Sequence, residues 1–112
     1  MLLSFVVAFL DVFPLVTGHI LVVPKKETDY IFEIEDETLA EMIVFAKTVA
    51  IALKKAVPCK RIGMSVIGLE VPHAHIHLVP MNTANDLNFT RDKLKPAESE
   101  LADIAEKIKS KL

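Results

Sequence analysis

The stretch Val71-Pro-His-Ala-His-Ile-His-Leu-Val-Pro-Met81 decides how the rest of the chain is read. His73, His75 and His77 alternate with Ala74, Ile76 and Leu78, and a period of two is that of a β-strand. On a strand the three histidines project from one face, about 6.6 Å apart in succession, and the apolar set on the other face can pack on a helix. Imidazole titrates near neutrality and can donate, accept, attack or bind metal. It is costly to crowd when charged, so three in a row need a reason beyond solubility. Two chemistries fit. His-x-His on a strand can present two imidazoles to one ion. Alternatively, neutral His75 attacks through one ring nitrogen while a backbone carbonyl holds the other as N–H, and His77 donates to phosphoryl oxygens or a leaving group.

Outward from that strand, Arg61 to Ile67 alternates Ile62, Met64 and Val66 and stops at Gly68. Ahead of it, Thr38 to Val57 changes to a helical period. Leu39, Met42, Ile43, Ala46, Val49, Ala50 and Leu53 share one face. Thr38-Leu-Ala-Glu41 fits a capping box, Glu35 to Glu37 lie near the positive dipole end, and Lys54 and Lys55 near the negative one. Ser4 to Leu10 reads as a core strand ended by Asp11-Val-Phe-Pro14, and His19 to Val23 as a second strand closed by Pro24. Gly18 serves backbone geometry before His19. Lys25 to Ile34 is a connection. Asn82 to Lys95 is a loop with a short helical turn after Thr90. Pro96 to Leu112 is a second amphipathic helix, with Leu101, Ile104, Ala105, Ile108 and Leu112 along its stripe. Strand pairs with one long helix between them define an α+β class built on an antiparallel sheet.

The chain has 112 residues, the size of a single domain spanning 1–112. With 52% apolar and 25% charged residues it is globular rather than disordered. A formal charge of −2 excludes a basic protein that coats nucleic acid, so an anionic ligand must be held by local donors. The apolar run Met1 to Leu10 lacks preceding Lys or Arg and is broken by Asp11 and Pro14. It is expected to be a strand rather than a leader or a membrane span. A lone cysteine, Cys59, fits a reducing cytoplasm. Glu70 falls on the face of Pro72 and Ala74, which gives it a rim role. Lys25 and Lys26 read as a solvated face.

The segment His73-Ala-His-Ile-His-Leu-Val resembles the signature of the histidine triad (HIT) family, in which three histidines alternate with apolar residues. The upstream segment Ala8-Phe-Leu-Asp-Val-Phe-Pro-Leu-Val-Thr-Gly-His-Ile-Leu-Val-Val-Pro-Lys-Lys26 is similar to the family's first conserved stretch. Two matching segments in the right order, separated by a helix, cover about Phe5 to Met81. The resemblance implies a HIT-like antiparallel sheet with one long helix after the second strand, a C-terminal helix, and a homodimer formed through helix and sheet edge. It also implies purine nucleotide binding, with hydrolysis or transfer at the α-phosphate of nucleoside phosphoramidates or dinucleotide polyphosphates. On that footing His75 is the nucleophile that forms a covalent nucleotidyl-histidine, and the His73 carbonyl orients it. His77 contacts the phosphate or leaving group, and His19 lies behind the triad. Asp11 would hold the ribose hydroxyls, with Leu10 and Val12 at the base. Neither a cofactor nor a metal is required by this scheme.

Two departures stand beside the match. Ser65-Val-Ile-Gly-Leu-Glu70 is shorter than the family's loop, with Leu69 where Gln is usual, and the chain starts closer to its first strand than family members do. They motivate a second reading, a purine-nucleotide-binding module with little catalysis. A third reading is a histidine-rich zinc site that joins His19 to the triad.

Overall fold

The computed structural model describes residues 5–112. Four strands, β1 (Val6–Leu10), β2 (Ile20–Pro24), β3 (Arg61–Ser65) and β4 (Ile76–Met81), form one sheet in the order β1-β2-β4-β3, every pair antiparallel. Helix α1 (Asp36–Ala56) joins β2 to β3, and α2 (Glu98–Lys109) follows β4. This is the expected α+β fold. The part of the first-strand expectation that falls on Ser4 lies outside the described residues.

Strand parity sorts the sheet into two faces. Val6, Ala8, Ile20, Val22, Ile76 and Leu78 are buried against α1, since alternate residues share a face. α1 brings Met42, Phe45, Ala46, Val49, Ala52, Leu53 and Ala56 to that core. Burying an aliphatic side chain of the size of Leu53 contributes about 1.5–3 kcal/mol. The buried stripe is rotated from the expected one. Phe45, Ala52 and Ala56 are in it, whereas Ile43 stands 45% exposed. A helix lying across a sheet buries a broad stripe, and here that stripe is centred beside Ile43 rather than on it. α2 adds Ile108, fully buried, with Ile104 packed at the edge of the core.

Several boundaries differ from those expected. α1 begins at Asp36 and no Thr38 capping box forms. Its N-cap is Glu35, without a side-chain cap, and the Leu39 amide donates to the Glu35 carbonyl at 2.9 Å. Asp36 and Glu37 favour the positive dipole end, which lets the helix extend into the acidic run. α2 starts two residues after Pro96 and ends before Leu112, which is exposed. The short helical turn in the loop after β4 lies at Ala84–Leu87, before Thr90 rather than after it. Thr83 and Asp86 form a capping box there, and the Asn82 and Thr83 amides donate to Asp86 Oδ2 at 2.7 and 3.0 Å. Those donors hold the Asp86 carboxyl below its usual range. β4 begins only at Ile76, because Pro72 offers no N–H to a ladder and the chain before it folds differently. The His73 amide donates to the Val71 carbonyl and the Ala74 amide to the Thr28 carbonyl.

Candidate functional site

The outer face of the sheet, opposite α1, carries the histidines. Phe9, Leu21, His77 and Ser65 are register partners across all four strands. Asp11 lies one step further along β1, and its amide donates to the His19 carbonyl at 2.9 Å. Parity therefore places Asp11, His19 and His77 on one face. His73 and His75 precede β4, so their positions are set by hydrogen bonds and not by the strand alternation expected for them. The His73 ring Nε2 sits 2.8 Å from the Pro24 carbonyl. His75 Nδ1 sits 2.8 Å from the carbonyl of His73. The His75 and His77 ring centroids are 4.6 Å apart, closer than backbone spacing alone would bring them.

Donor and acceptor chemistry assigns the tautomers. The Leu15 amide donates to His19 Nδ1 at 3.1 Å, so that nitrogen carries no proton. The His19 proton is then on Nε2, which faces His77 Nδ1 at 2.9 Å and donates to it. Neutral His77 consequently carries its proton on Nε2. A carbonyl only accepts, so His75 Nδ1 is the protonated nitrogen and its Nε2 holds a lone pair. Among the described residues no buried side-chain nitrogen or oxygen lacks a hydrogen-bond partner. With no bond of their own, the Nε2 atoms of His75 and His77 therefore reach the surface.

Burial lowers the His77 pKa to about 3, and neighbouring His75, His19 and Lys93 push the same way. Burial also lowers His19 to about 4, with Asp11 opposing and Lys93 and His75 adding. Asp11 Oδ2 is 3.9 Å from His19 Nδ1. That nitrogen is occupied by the Leu15 N–H and the ring is neutral, so the contact is not an ion pair. The other oxygen of Asp11 accepts from the Phe13 amide at 3.0 Å, which is the turn role its position also suggests.

These two depressed values have a consequence for stability. Both lie below the free-histidine value of 6.5, so the unfolded chain binds protons that the folded chain refuses. Their contribution is whole above pH 6.5 and is lost as pH falls toward 4. Urea denaturation is expected to show about 2 kcal/mol less unfolding free energy at pH 5 than at pH 7, roughly half the sum for two independent rings because His19 and His77 share one hydrogen bond and titrate together. A flat profile between those pH values would mean that folding does not depress the two rings, the folded and unfolded chains then binding protons equally.

Of the two residues expected at a base, Leu10 is on the core side of β1, in register with Ile20 and packed against the core. Its neighbour Phe9, 45% exposed, is the residue in the His77 row. Val12 is exposed on the turn after β1. Phe9 and Leu21 were missed by sequence reasoning, although the odd numbering they share with Asp11 carries the signal. Phe89 was also missed. Its ring centroid lies 4.6 Å from that of His77 and 6.4 Å from that of His19. A cavity of about 240 Å³ lies between the β1–β2 turn and α2, and Leu10, Asp11, His19, Lys95 and Glu100 are among its lining residues. It includes no residue of the triad. Among the described residues no three His, Cys, Asp or Glu side chains are grouped to hold a metal.

An antiparallel sheet backed by one long helix, with interlocked histidines on the opposite face, defines a histidine-cluster α+β protein. The HIT domain family matches residues 4–84, and the chain belongs to that family. An uncharacterized HIT-like protein of Saccharolobus solfataricus is 38% identical over 81 residues, covering 67% of this chain and 58% of that protein. The adenosine 5′-monophosphoramidase of Saccharomyces cerevisiae is 35% identical over 74 residues, covering 65% of this chain and 47% of the yeast protein. A HIT-like protein of Bartonella henselae has a TM-score of 0.84 and 27% identity over 100% of this chain and 84% of that one. The matches thus span about half the length of these two curated relatives.

Proposed function

We propose that this chain binds a purine nucleotide on the open sheet face and cleaves it at the α-phosphorus through His75. One observation carries the reading: His75 Nδ1 is committed to the His73 carbonyl, which leaves the Nε2 lone pair uncovered beside a donor on His77. In the step this geometry supports, the Nε2–P bond forms as the bond from phosphorus to the leaving nitrogen or oxygen breaks. The leaving group keeps the electron pair and takes its proton from solvent. His77 Nε2–H donates a hydrogen bond to a phosphoryl oxygen; with its pKa about 3 it is a fixed dipole and not a proton source at neutral pH. Water then hydrolyses the nucleotidyl-histidine to release the monophosphate. Asp11 Oδ2 is available for ribose hydroxyls, and the apolar shelf of Phe9 and Leu21 suits a base. The similarity to a phosphoramidase supports the substrate class.

The test mixes the protein with adenosine 5′-phosphoramidate and diadenosine polyphosphates, then measures intact mass after rapid quenching. A gain of one adenylyl group on the wild-type chain supports the reading. Saturable AMP binding by calorimetry with neither adduct nor product would replace it with the non-catalytic binding module. Stoichiometric zinc by elemental analysis, with loss of binding on its removal, would replace it with the metal site.

The partner we propose is a second copy of the chain. β3 is an edge strand, and Met64 and Val66 at that edge and Ile43, Val44 and Ile51 on α1 are exposed apolar residues. An antiparallel two-fold pairing of α1 would set Asp36 and Glu37 against the partner copy's basic helix end, since Lys54 and Lys55 lie in the last turn. Sedimentation is expected to give twice the chain mass, falling to the single-chain mass for Ile51→Glu. Wild-type protein at single-chain mass would refute the dimer. No helix among the described residues is long and apolar enough to cross a membrane; the cytoplasmic placement we propose rests on the lone Cys59.

A further inference from the structure

His77 presents a puzzle of burial. It lies on the sheet face opposite α1, yet it is only 7% exposed. Part of its cover is Phe89, in the loop after β4 and beyond the matched residues 4–84. We infer that Phe89 is a positioning residue that walls one side of His77, so that its Nε2–H stays aimed at the open face. The ring meets His77 edge to face, tilted by 66°, and also reaches His19, tilted by 76°. Phenylalanine suits this place because it offers no hydrogen-bonding group that could capture the Nε2–H.

The wall is held from both sides in sequence. The Thr90 amide and hydroxyl both donate to Asn88 Oδ1, at 3.0 and 2.7 Å. Further along, the Leu94 amide donates to the Pro14 carbonyl at 2.9 Å and ties the loop to the β1–β2 turn. The charged and titratable groups that act on His77 are His75 from its own segment, His19 from the start of β2, and Lys93 from this same loop, with Asp11 acting through His19. Removing the phenyl ring would let water reach His77 and leave the bond to His19 as the main restraint on the ring.

The experiment compares wild type, Phe89→Ala and Phe89→Leu, and its catalytic arm rests on the reading proposed above. In ring-proton NMR titrations, His77 in Phe89→Ala is expected to titrate at least one pH unit higher than in wild type, with Phe89→Leu between the two. With adenosine 5′-phosphoramidate, kcat for Phe89→Ala is expected to fall about 10-fold with KM nearly unchanged, and Phe89→Leu to recover most of that loss. An unmoved His77 titration in folded Phe89→Ala overturns the inference. If that variant does not fold, the wild-type NOE between the Phe89 and His77 rings decides, and its absence overturns the inference equally. Should the wild type turn over no nucleotide, the catalytic proposal fails while the titration still judges Phe89.

Discussion

Replacing His75 by alanine is expected to lower kcat/KM for adenosine 5′-phosphoramidate by about 10⁴-fold, which corresponds to ~5–6 kcal/mol of lost transition-state stabilisation. No other ring in the cluster has an unprotonated Nε2 to present beside the His77 donor. His19 Nε2 is spent on His77, and His73 Nε2 is spent on the Pro24 carbonyl. His77 has its lone pair on Nδ1, where it accepts from His19, and presents only an N–H outward. The variant should therefore also fail to form the adenylyl adduct while still binding AMP, because the phosphate donor and the apolar shelf remain. His75 is partly exposed and lies outside the strands, so the folded state should persist. Retention of more than about a tenth of the wild-type rate would show that the chemistry does not pass through this imidazole.

The second large effect is structural and comes from Gly18. Its φ of +92° lies in the region L side chains rarely adopt. An added Cβ would meet Val57 Cγ2 at 3.1 Å, Leu53 Cδ1 at 3.2 Å and Pro80 Cγ at 3.3 Å. These atoms belong to α1, the residue that caps it, and β4, so no single side-chain rotation relieves the crowding. Gly18→Ala is expected to cost about 2–4 kcal/mol of unfolding free energy, with backbone strain and overpacking acting together. Gly18 precedes His19, so the same change should loosen the bond to His77 and reduce turnover in whatever fraction stays folded. Chemical denaturation checks the first effect; a loss below about 1 kcal/mol would show that the turn adjusts freely.

Much of this architecture was legible in the sequence because the two periodicities were clean. Alternation marked β3 and β4, apolar runs marked β1 and β2, the 3.6-residue stripe marked α1, and Pro24 marked an end. What escaped was set by competition between neighbours. Thr38-x-x-Glu41 had the form of a cap, but the acidic residues ahead of it extend the helix. The alternating histidines had the form of a continuous strand, but Pro72 and the bond from Ala74 to Thr28 delay β4 until Ile76. Parity from Asp11 puts Phe9, and not Leu10, in the row of His77. Phe89 gave no local signal, since its role depends on a loop folding back over residues that belong to other elements.

The polarity of the imidazole chain originates at a peptide N–H, that of Leu15. A main-chain group is indifferent to which side chain it bears, so a change among apolar residues at the fully buried position 15 leaves the direction in which protons are arranged as it is. Proline is the exception, since it has no N–H to give. A determinant of this sort leaves no residue signature for a motif to record, and an imino acid tolerated there would be the sign that the chain of rings is oriented by something else.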